Sequence, residues 1–277
     1  MSQRSENTPE QDEQISQQQR EIEREIFRRV MLVGHQVPIE ELAKEYEGDE
    51  IYLQKVNDLV TKYVSIRRVR PDGNCFFRGF VFAYLEHLCK HRDEFEQFLV
   101  ATENNKERLL GLNYPEFTVE DITDGFGSVV AIASTGSKGI PELHRVFNDQ
   151  ASSDYVVSYL RLVVSAQLRD KEGFYKNFME NGKTVEEFCQ TVVEPMNKES
   201  DHIHITALSV ALNVGIRVRY MDRSIPGVNA HDFNGNGATG LPTVHLLYRP
   251  GHYDILYPRS PAQSTRSGVG NTDSKSD

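Results

Sequence analysis

Cysteine is scarce in this chain, with three among 277 residues. An odd count without framework spacing excludes a disulfide-stapled fold and points to free thiols in a reducing compartment. No run of 18 or more uncharged apolar residues occurs, so no stretch reads as a membrane-spanning helix. Basic charge is in the minority: 31 Lys and Arg stand against 41 Asp and Glu, for a net charge of −10. That balance argues against a nucleic-acid binder, which carries a basic face, and against an anionic membrane surface. The N-terminus is polar and acidic, unlike a secretory signal or a transit peptide. Elimination leaves a cytosolic protein, with the nucleus as a second compartment, expected as a monomer without cofactor or metal. No internal repeat is present.

The composition, 38% hydrophobic and 26% charged, suits one globular domain with polar ends. Residues 1–20 are rich in Gln, Glu and Ser and read as a disordered tail. Residues 21–63 read as an N-terminal helical arm. Its first helix starts near Glu21, with Ile22, Ile26, Phe27, Val30 and Met31 at helical spacing, and its second covers Asp49–Tyr63. A short strand, Val64–Val69, follows. Further helices are expected over 90–108, 118–133, 154–171, 184–191 and 202–213. Thr118 and Thr184 open capping-box patterns, and Ser153 is placed as a helix cap. Val214–Tyr220 alternates like a strand, and Ser224–Gly240 reads as a Gly- and Asn-rich loop. Residues 259–277 are a second disordered tail. Helices in the middle and strands late predict an α+β domain over 64–258, a small, mostly antiparallel sheet flanked by two helical groups.

One turn stands out: Arg70-Pro71-Asp72-Gly73-Asn74-Cys75-Phe76-Phe77-Arg78. Pro71 ends the preceding strand, and Gly73 takes positive φ without steric cost. The turn delivers Cys75 to the start of a helix that is apolar nearly all round, hence central and rigid. The unpaired N–H groups of a helix's first turn favour an anion and can receive a developing oxyanion. Such a thiol suits nucleophilic chemistry. Cys89 and Cys189 lack this context and read as buried packing residues.

A nucleophilic cysteine needs a base, and the base needs an orienter. Of nine histidines, His252 has the best setting. Thr243–Tyr257 reads as two strands joined by an Arg-Pro-Gly turn. On the second strand His252 and Asp254 share a face, about 6.7 Å apart, while Tyr253, Ile255 and Tyr257 point the other way. His202 and His204, beside Glu199 and Asp201, hint at a metal, but no further Cys or His spacing completes a ligand set with them. His35, His87, His91, His144, His231 and His245 read as surface or packing residues.

The stretch from Arg70 to Arg78 resembles the cysteine box of OTU-type deubiquitinases, and Tyr248-Arg249-Pro250-Gly251-His252-Tyr253-Asp254 resembles their histidine box. Phe147–Gln150 with Ser153–Val157, and Val193–Met196 with Glu199–His204, are similar to the otubain branch. The resemblance covers residues 20–258. It implies a papain-like OTU fold and a thiol protease that cleaves isopeptide bonds in polyubiquitin, in otubains preferentially lysine-48-linked. On matching positions Cys75 would be the nucleophile, His252 the general base and acid, and Asp254 its orienter. Asp72 would brace the oxyanion loop, with the Gly73, Asn74 and Cys75 amides as donors. Ubiquitin chains are the implied partners, together with ubiquitin-charged conjugating enzymes held through the N-terminal arm. Two alternatives stand beside this reading. One is a binding module that restrains charged conjugating enzymes without cleaving. The other is a papain-like hydrolase of ordinary peptides or of another modifier.

Overall fold

Val64, Ile66 and Val69 suit a strand, and Pro71 stops it. The computed structural model describes residues 30–179, 182–223, 227–235 and 242–259. Its strands are β1 (Val33–Pro38), β2 (Tyr63–Val69), β3 (Ile216–Tyr220), β4 (Asn229–Phe233), β5 (Val244–Arg249) and β6 (His252–Pro258). They form one sheet in the order β1-β2-β6-β5-β3-β4. Neighbours run antiparallel except β3 and β5. The helices are α1 (Glu50–Lys62), α2 (Cys75–Leu88), α3 (Arg92–Gly111), α4 (Glu116–Ala133), α5 (Ile140–Phe147), α6 (Gln150–Asp170), α7 (Glu172–Tyr175), α8 (Val185–Phe188) and α9 (His202–Leu212).

Side-chain alternation gives the sheet two buried faces. Ile66, Leu247 and Leu256 meet Ile39 and Leu42 of the 3-10 segment Ile39–Tyr46, and Val56 and Leu59 of α1. Val69, Leu246 and Ile255 meet the larger helical group, with α2 and α6 at its centre. The expected α+β layout, a sheet between two helical groups, is the one observed. Phe76, Phe77, Phe80 and Phe82 of α2 are at most 1% exposed. Each contributes roughly 2 kcal/mol of burial, so the cysteine's mount is fixed by the core itself.

The structure departs from the sequence reading at several places. Residues 33–38, assigned to a helical arm, form β1, an edge strand paired with β2. Gly34 and Pro38 hide this strand from propensity, and its partner lies some thirty residues on. The helix expected from Glu21 lies outside the described residues up to position 29, and its Val30 and Met31 are not helical. Of the tails at 1–20 and 259–277 only Arg259 is described, its N–H donating to the Lys62 carbonyl at 2.9 Å. Inside the expected loop 224–240 stands β4. It is held to β3 by main-chain pairing and a bidentate Arg217–Asp232 ion pair at 2.6 Å, so no apolar alternation marks it. Helix α4 begins at Glu116, two residues before Thr118, which caps nothing. Helix α6 is capped by Asp149, while Ser153 is buried and accepts a hydrogen bond from Arg78. Tyr155 of α6 faces outward and is 42% exposed. The Thr184 capping box forms as expected.

Candidate active site

Chain order separates Cys75 from His252 by most of the domain, and the sheet removes that separation. β2 runs straight into the Arg70–Asn74 turn and so into Cys75. β6 lies beside β2 in antiparallel register, Arg67 opposite Ile255, so the start of β6 comes to the end of β2. The join is direct: the Val69 N–H, last in β2, donates to Asp254 Oδ1 at 2.9 Å.

The turn is built as the sequence suggests. Gly73 has φ +75°, and a Cβ there would lie 2.5 Å from the Asn197 carbonyl oxygen, so both conformation and space require glycine. Asp72 accepts two hydrogen bonds from Arg78 Nη1, at 2.8 and 2.7 Å, which ties the turn to the first turn of α2. Asp72 Oδ1 also accepts the Asn74 N–H at 3.0 Å. This corrects the expected donor set: the Asn74 amide is engaged within the turn. The Gly73 and Cys75 amides have no partner among the described residues, which leaves two donors beside the thiol. The Asn74 side chain is buried and exchanges two hydrogen bonds with Asn197, Nδ2 to Oδ1 at 2.8 Å and Oδ1 from N–H at 2.9 Å.

On β6, His252 and Asp254 share a face as predicted. His252 Nε2 donates to Asp254 Oδ1 at 2.9 Å. Asp254 is 0% exposed, and its other oxygen accepts from Arg249 Nη2 at 2.5 Å and Arg68 Nη1 at 3.2 Å. Both arginines also bond Glu45, so an acid from the 3-10 segment offsets the second cation.

Burial alone would lower the basicity of His252. Its bond to Asp254, the neighbouring Cys75 sulfur and the charges of both outweigh that and hold the ring up at about 9. Burial would likewise raise Asp254, but the imidazole and the two guanidiniums pull it down to about 2. The pair is therefore imidazolium and carboxylate at neutral pH. His252 Nδ1 is buried and completes no hydrogen bond by geometry among the described residues. The sulfur acts on the ring at short range without having closed an aligned bond.

Cys75 itself is 4% exposed. It lines a cleft of about 220 Å³ with Glu199, Ser200, Tyr248, Gly251 and Tyr253. Asp201 is common to this cleft and to a larger cavity of about 560 Å³ walled by Phe174, Phe178 and Phe188. Phe174 and Phe178 are more than half exposed.

The remaining histidines have structural work. His204 completes the α9 capping box, its Nδ1 accepting the Asp201 N–H at 3.2 Å. His202 stacks on Tyr220. One metal-competent group of three was passed over in the sequence: His87 and His91, at a helical spacing of four, with Glu94. Their ligand atoms lie within 4.8 Å of one another, but the two rings stack at 3.8 Å and 11°, so their in-plane lone pairs run parallel. The group sits at the far end of α2, about 18 Å along the helix from Cys75. Cys89 and Cys189 are buried and unpaired. Burial pushes both thiols up, Cys189 to about 11, so neither is set to ionise near neutral pH.

Sequence reasoning missed the arginines. Arg68 and Arg249 clamp Asp254, Arg78 braces Asp72, and Arg161 lies under the turn. Arg249 stood inside the histidine box. Arg161 carried a weaker signal, a lone cation within the buried stripe of α6.

The family profile Peptidase C65 Otubain matches residues 25–258. Ubiquitin thioesterase OTUB1 of Homo sapiens is 47% identical over 248 residues, spanning 89% of this chain and 90% of that protein. An Arabidopsis thaliana protein, OVARIAN TUMOR DOMAIN-containing deubiquitinating enzyme 1, is 42% identical over 87% of this chain and 85% of its own length. The solved complex of h/ceOTUB1 with ubiquitin aldehyde and UBC13~Ub aligns with TM-score 0.81 at 32% identity, covering 90% of this chain and 99% of that one. A complex with ubiquitin aldehyde and UBCH5B~Ub aligns with TM-score 0.80, covering 91% and 100%.

Proposed function

From its membership of the otubain family, peptidase C65, this chain is a deubiquitinating cysteine peptidase, and we propose that it hydrolyses isopeptide bonds in lysine-48-linked polyubiquitin through Cys75, His252 and Asp254. The supporting observation is the join at the end of β2. One carboxylate bonds both the base and the strand that carries the nucleophile's turn.

In the proposed reaction the Cys75 thiolate attacks the carbonyl carbon of ubiquitin's C-terminal glycine. The Gly73 and Cys75 amides receive the oxyanion, where one donor supplies about 3 kcal/mol. His252 gives its proton to the departing lysine amine as the C–N bond breaks. The ring, now neutral, takes a proton from water, whose oxygen attacks the thioester. The C–S bond breaks, which restores the thiolate–imidazolium pair, and the released carboxylic acid loses its proton to solvent as the free ubiquitin carboxylate. The cleft at Cys75 admits the narrow C-terminal tail. We place the folded part of ubiquitin against the exposed aromatics Phe174 and Phe178 beside the larger cavity. A reducing compartment such as the cytosol suits a nucleophile that must stay a thiol. A panel of differently linked ubiquitin dimers tests the linkage. The lysine-48 dimer is expected to be cut at least tenfold faster than the rest, and equal rates would remove that preference.

The pH profile follows from His252. The ring must be protonated to release the amine, and it is held up at about 9. So kcat/KM is expected to stay level through pH 8 and to fall with a midpoint near 9. The same proton stabilises the fold fully below about 6.5, the free-histidine value, and that contribution is lost as pH rises through 9. A rate profile falling near 6.5 would mean that Asp254 does not hold the ring.

A second, coexisting activity is favoured by the two aligned complexes, which contain UBC13~Ub and UBCH5B~Ub. We infer that this chain also binds ubiquitin-charged conjugating enzymes through its N-terminal segment. Cys75→Ser is expected to retain UBC13~Ub in a pull-down and deletion of residues 1–29 to lose it. Equal retention by both would refute the role of that segment.

A further inference from the structure

Arg161 sits in the middle of α6 with 0% exposure. Its Nη2 has three acceptors: the Gly73 carbonyl at 3.0 Å, Asn74 Oδ1 at 2.8 Å and the Lys198 carbonyl at 2.7 Å. Nη1 donates to the Val193 carbonyl at 2.8 Å. The guanidinium lies over the Phe77 ring, 4.8 Å from its centroid. All four acceptors are neutral, and among the described residues no carboxylate is within ion-pair distance of it. Asp72 and the Cys75 sulfur act on it through space, and Asp72 is bonded to Arg78. Burial lowers its pKa to about 10, so it remains a cation at neutral pH.

A buried cation with no carboxylate bonded to it is expensive, so the fold alone does not account for it. Its hydrogen bonds are confined to two segments. One is the oxyanion turn. The other is the 193–198 loop, which continues into Glu199 and Ser200 on the cleft wall. The critical acceptor is the Gly73 carbonyl. Gly73 is the flexible residue of the turn, and the Gly73–Asn74 peptide can rotate as a unit. Rotated, it would break the Asn74 N–H bond to Asp72 and swing a carbonyl oxygen toward the two amides. A lone pair there would repel the oxyanion they are meant to receive. Arg161 draws that oxygen into the interior.

Resting on Cys75 as the nucleophile, we propose that Arg161 is a positioning residue for the reaction: its fork latches the Gly73–Asn74 peptide and ties the oxyanion turn to the cleft wall. Lysine keeps the charge but has one nitrogen in place of the fork, so it cannot hold the turn and the Val193 carbonyl at once. Arg161→Lys is therefore expected to lower kcat about 100-fold, the scale of a lost oxyanion donor, with KM for a C-terminal ubiquitin amide within twofold. Affinity for ubiquitin aldehyde, whose adduct carries the tetrahedral oxygen, should fall by a similar factor. Affinity for ubiquitin itself should not change. Alkylation of Cys75 by iodoacetamide needs no oxyanion site and should stay within twofold of wild type.

A folded Arg161→Lys protein with kcat within threefold of wild type overturns the latch. So does one in which alkylation falls as far as kcat, because the whole site would then have been lost. Should Arg161→Lys fail to fold, Asn197→Gly loosens the same turn and tolerates the φ of +61° found at that position. It is expected to lower kcat about tenfold at constant KM, and an unchanged kcat counts against the latch. If iodoacetamide leaves wild-type cleavage intact, the failure lies with Cys75 as nucleophile and not with Arg161.

Discussion

Cys75→Ala is expected to reduce cleavage of lysine-48-linked ubiquitin dimers to background, a loss on the order of 10⁶ in kcat as for removal of other triad nucleophiles. The structure makes this a clean experiment. The thiol is one small side chain at the mouth of α2, whose stability comes from the four phenylalanines behind it. Loss of a buried sulfur costs little beside their burial, so the variant should keep its fold and its affinity for ubiquitin. Cys89 and Cys189 provide the internal comparison. Both are buried and unpaired, and burial raises both thiols. Cys89→Ser and Cys189→Ser should retain cleavage, apart from what the fold loses. Gel analysis of dimer cleavage beside a thermal melt reads both quantities, and residual cleavage by Cys75→Ala above a few per cent would end the assignment.

The second large effect is expected at Asp254, and it falls on stability as well as on rate. This carboxylate bonds His252, Arg68, Arg249 and the Val69 amide while wholly buried. Asp254→Ala leaves two guanidiniums and a main-chain donor without it, a loss of ~3–5 kcal/mol, or a Tm lower by about 10 °C. His252 then keeps its burial and loses its main support, so the ring falls from about 9 toward the neutral form. Less basic and unoriented, it supports the thiolate and protonates the amine poorly, and kcat should drop about 10⁴-fold, the scale seen when a triad carboxylate is neutralised. Asp254→Asn separates the two effects. It retains the shape and some hydrogen bonds, so Tm should recover by half or more while kcat stays low. Recovery of both together would make Asp254 a structural residue only. Acid behaves as the reverse titration. The folded value near 2 lies below the ordinary carboxylate value, so Asp254 supports the fold above pH 4 and that support is lost toward pH 2.

How much of this was legible in the sequence follows the range of each interaction. The turn, the thiol and the helix are contiguous, and Pro71, Gly73 and the apolar run declare them. His252 and Asp254 are two residues apart on a strand, so period-two geometry was enough. Strand β1 was not legible, because a Gly- and Pro-bearing edge segment becomes a strand only by pairing with β2. β4 was hidden for the same reason. Asn74 was misassigned because its amide is captured by the side chain two residues back, a local competition that a motif does not display. Arg68, Arg161 and Arg249 act across 186, 88 and 5 residues respectively. The first two come to the site by folding alone. Even Arg249, within the histidine turn, needed the buried position of Asp254 to give it a role.

The most direct measurement uses ubiquitin whose C-terminal carboxylate is replaced by a thiol-reactive electrophile, followed by peptide mass mapping. One adduct per chain is expected, on the peptide that contains Cys75, and His252→Ala should slow its formation at least 100-fold. An adduct on Cys89 or Cys189, or none while dimers are still cleaved, would contradict the assignment of the nucleophile.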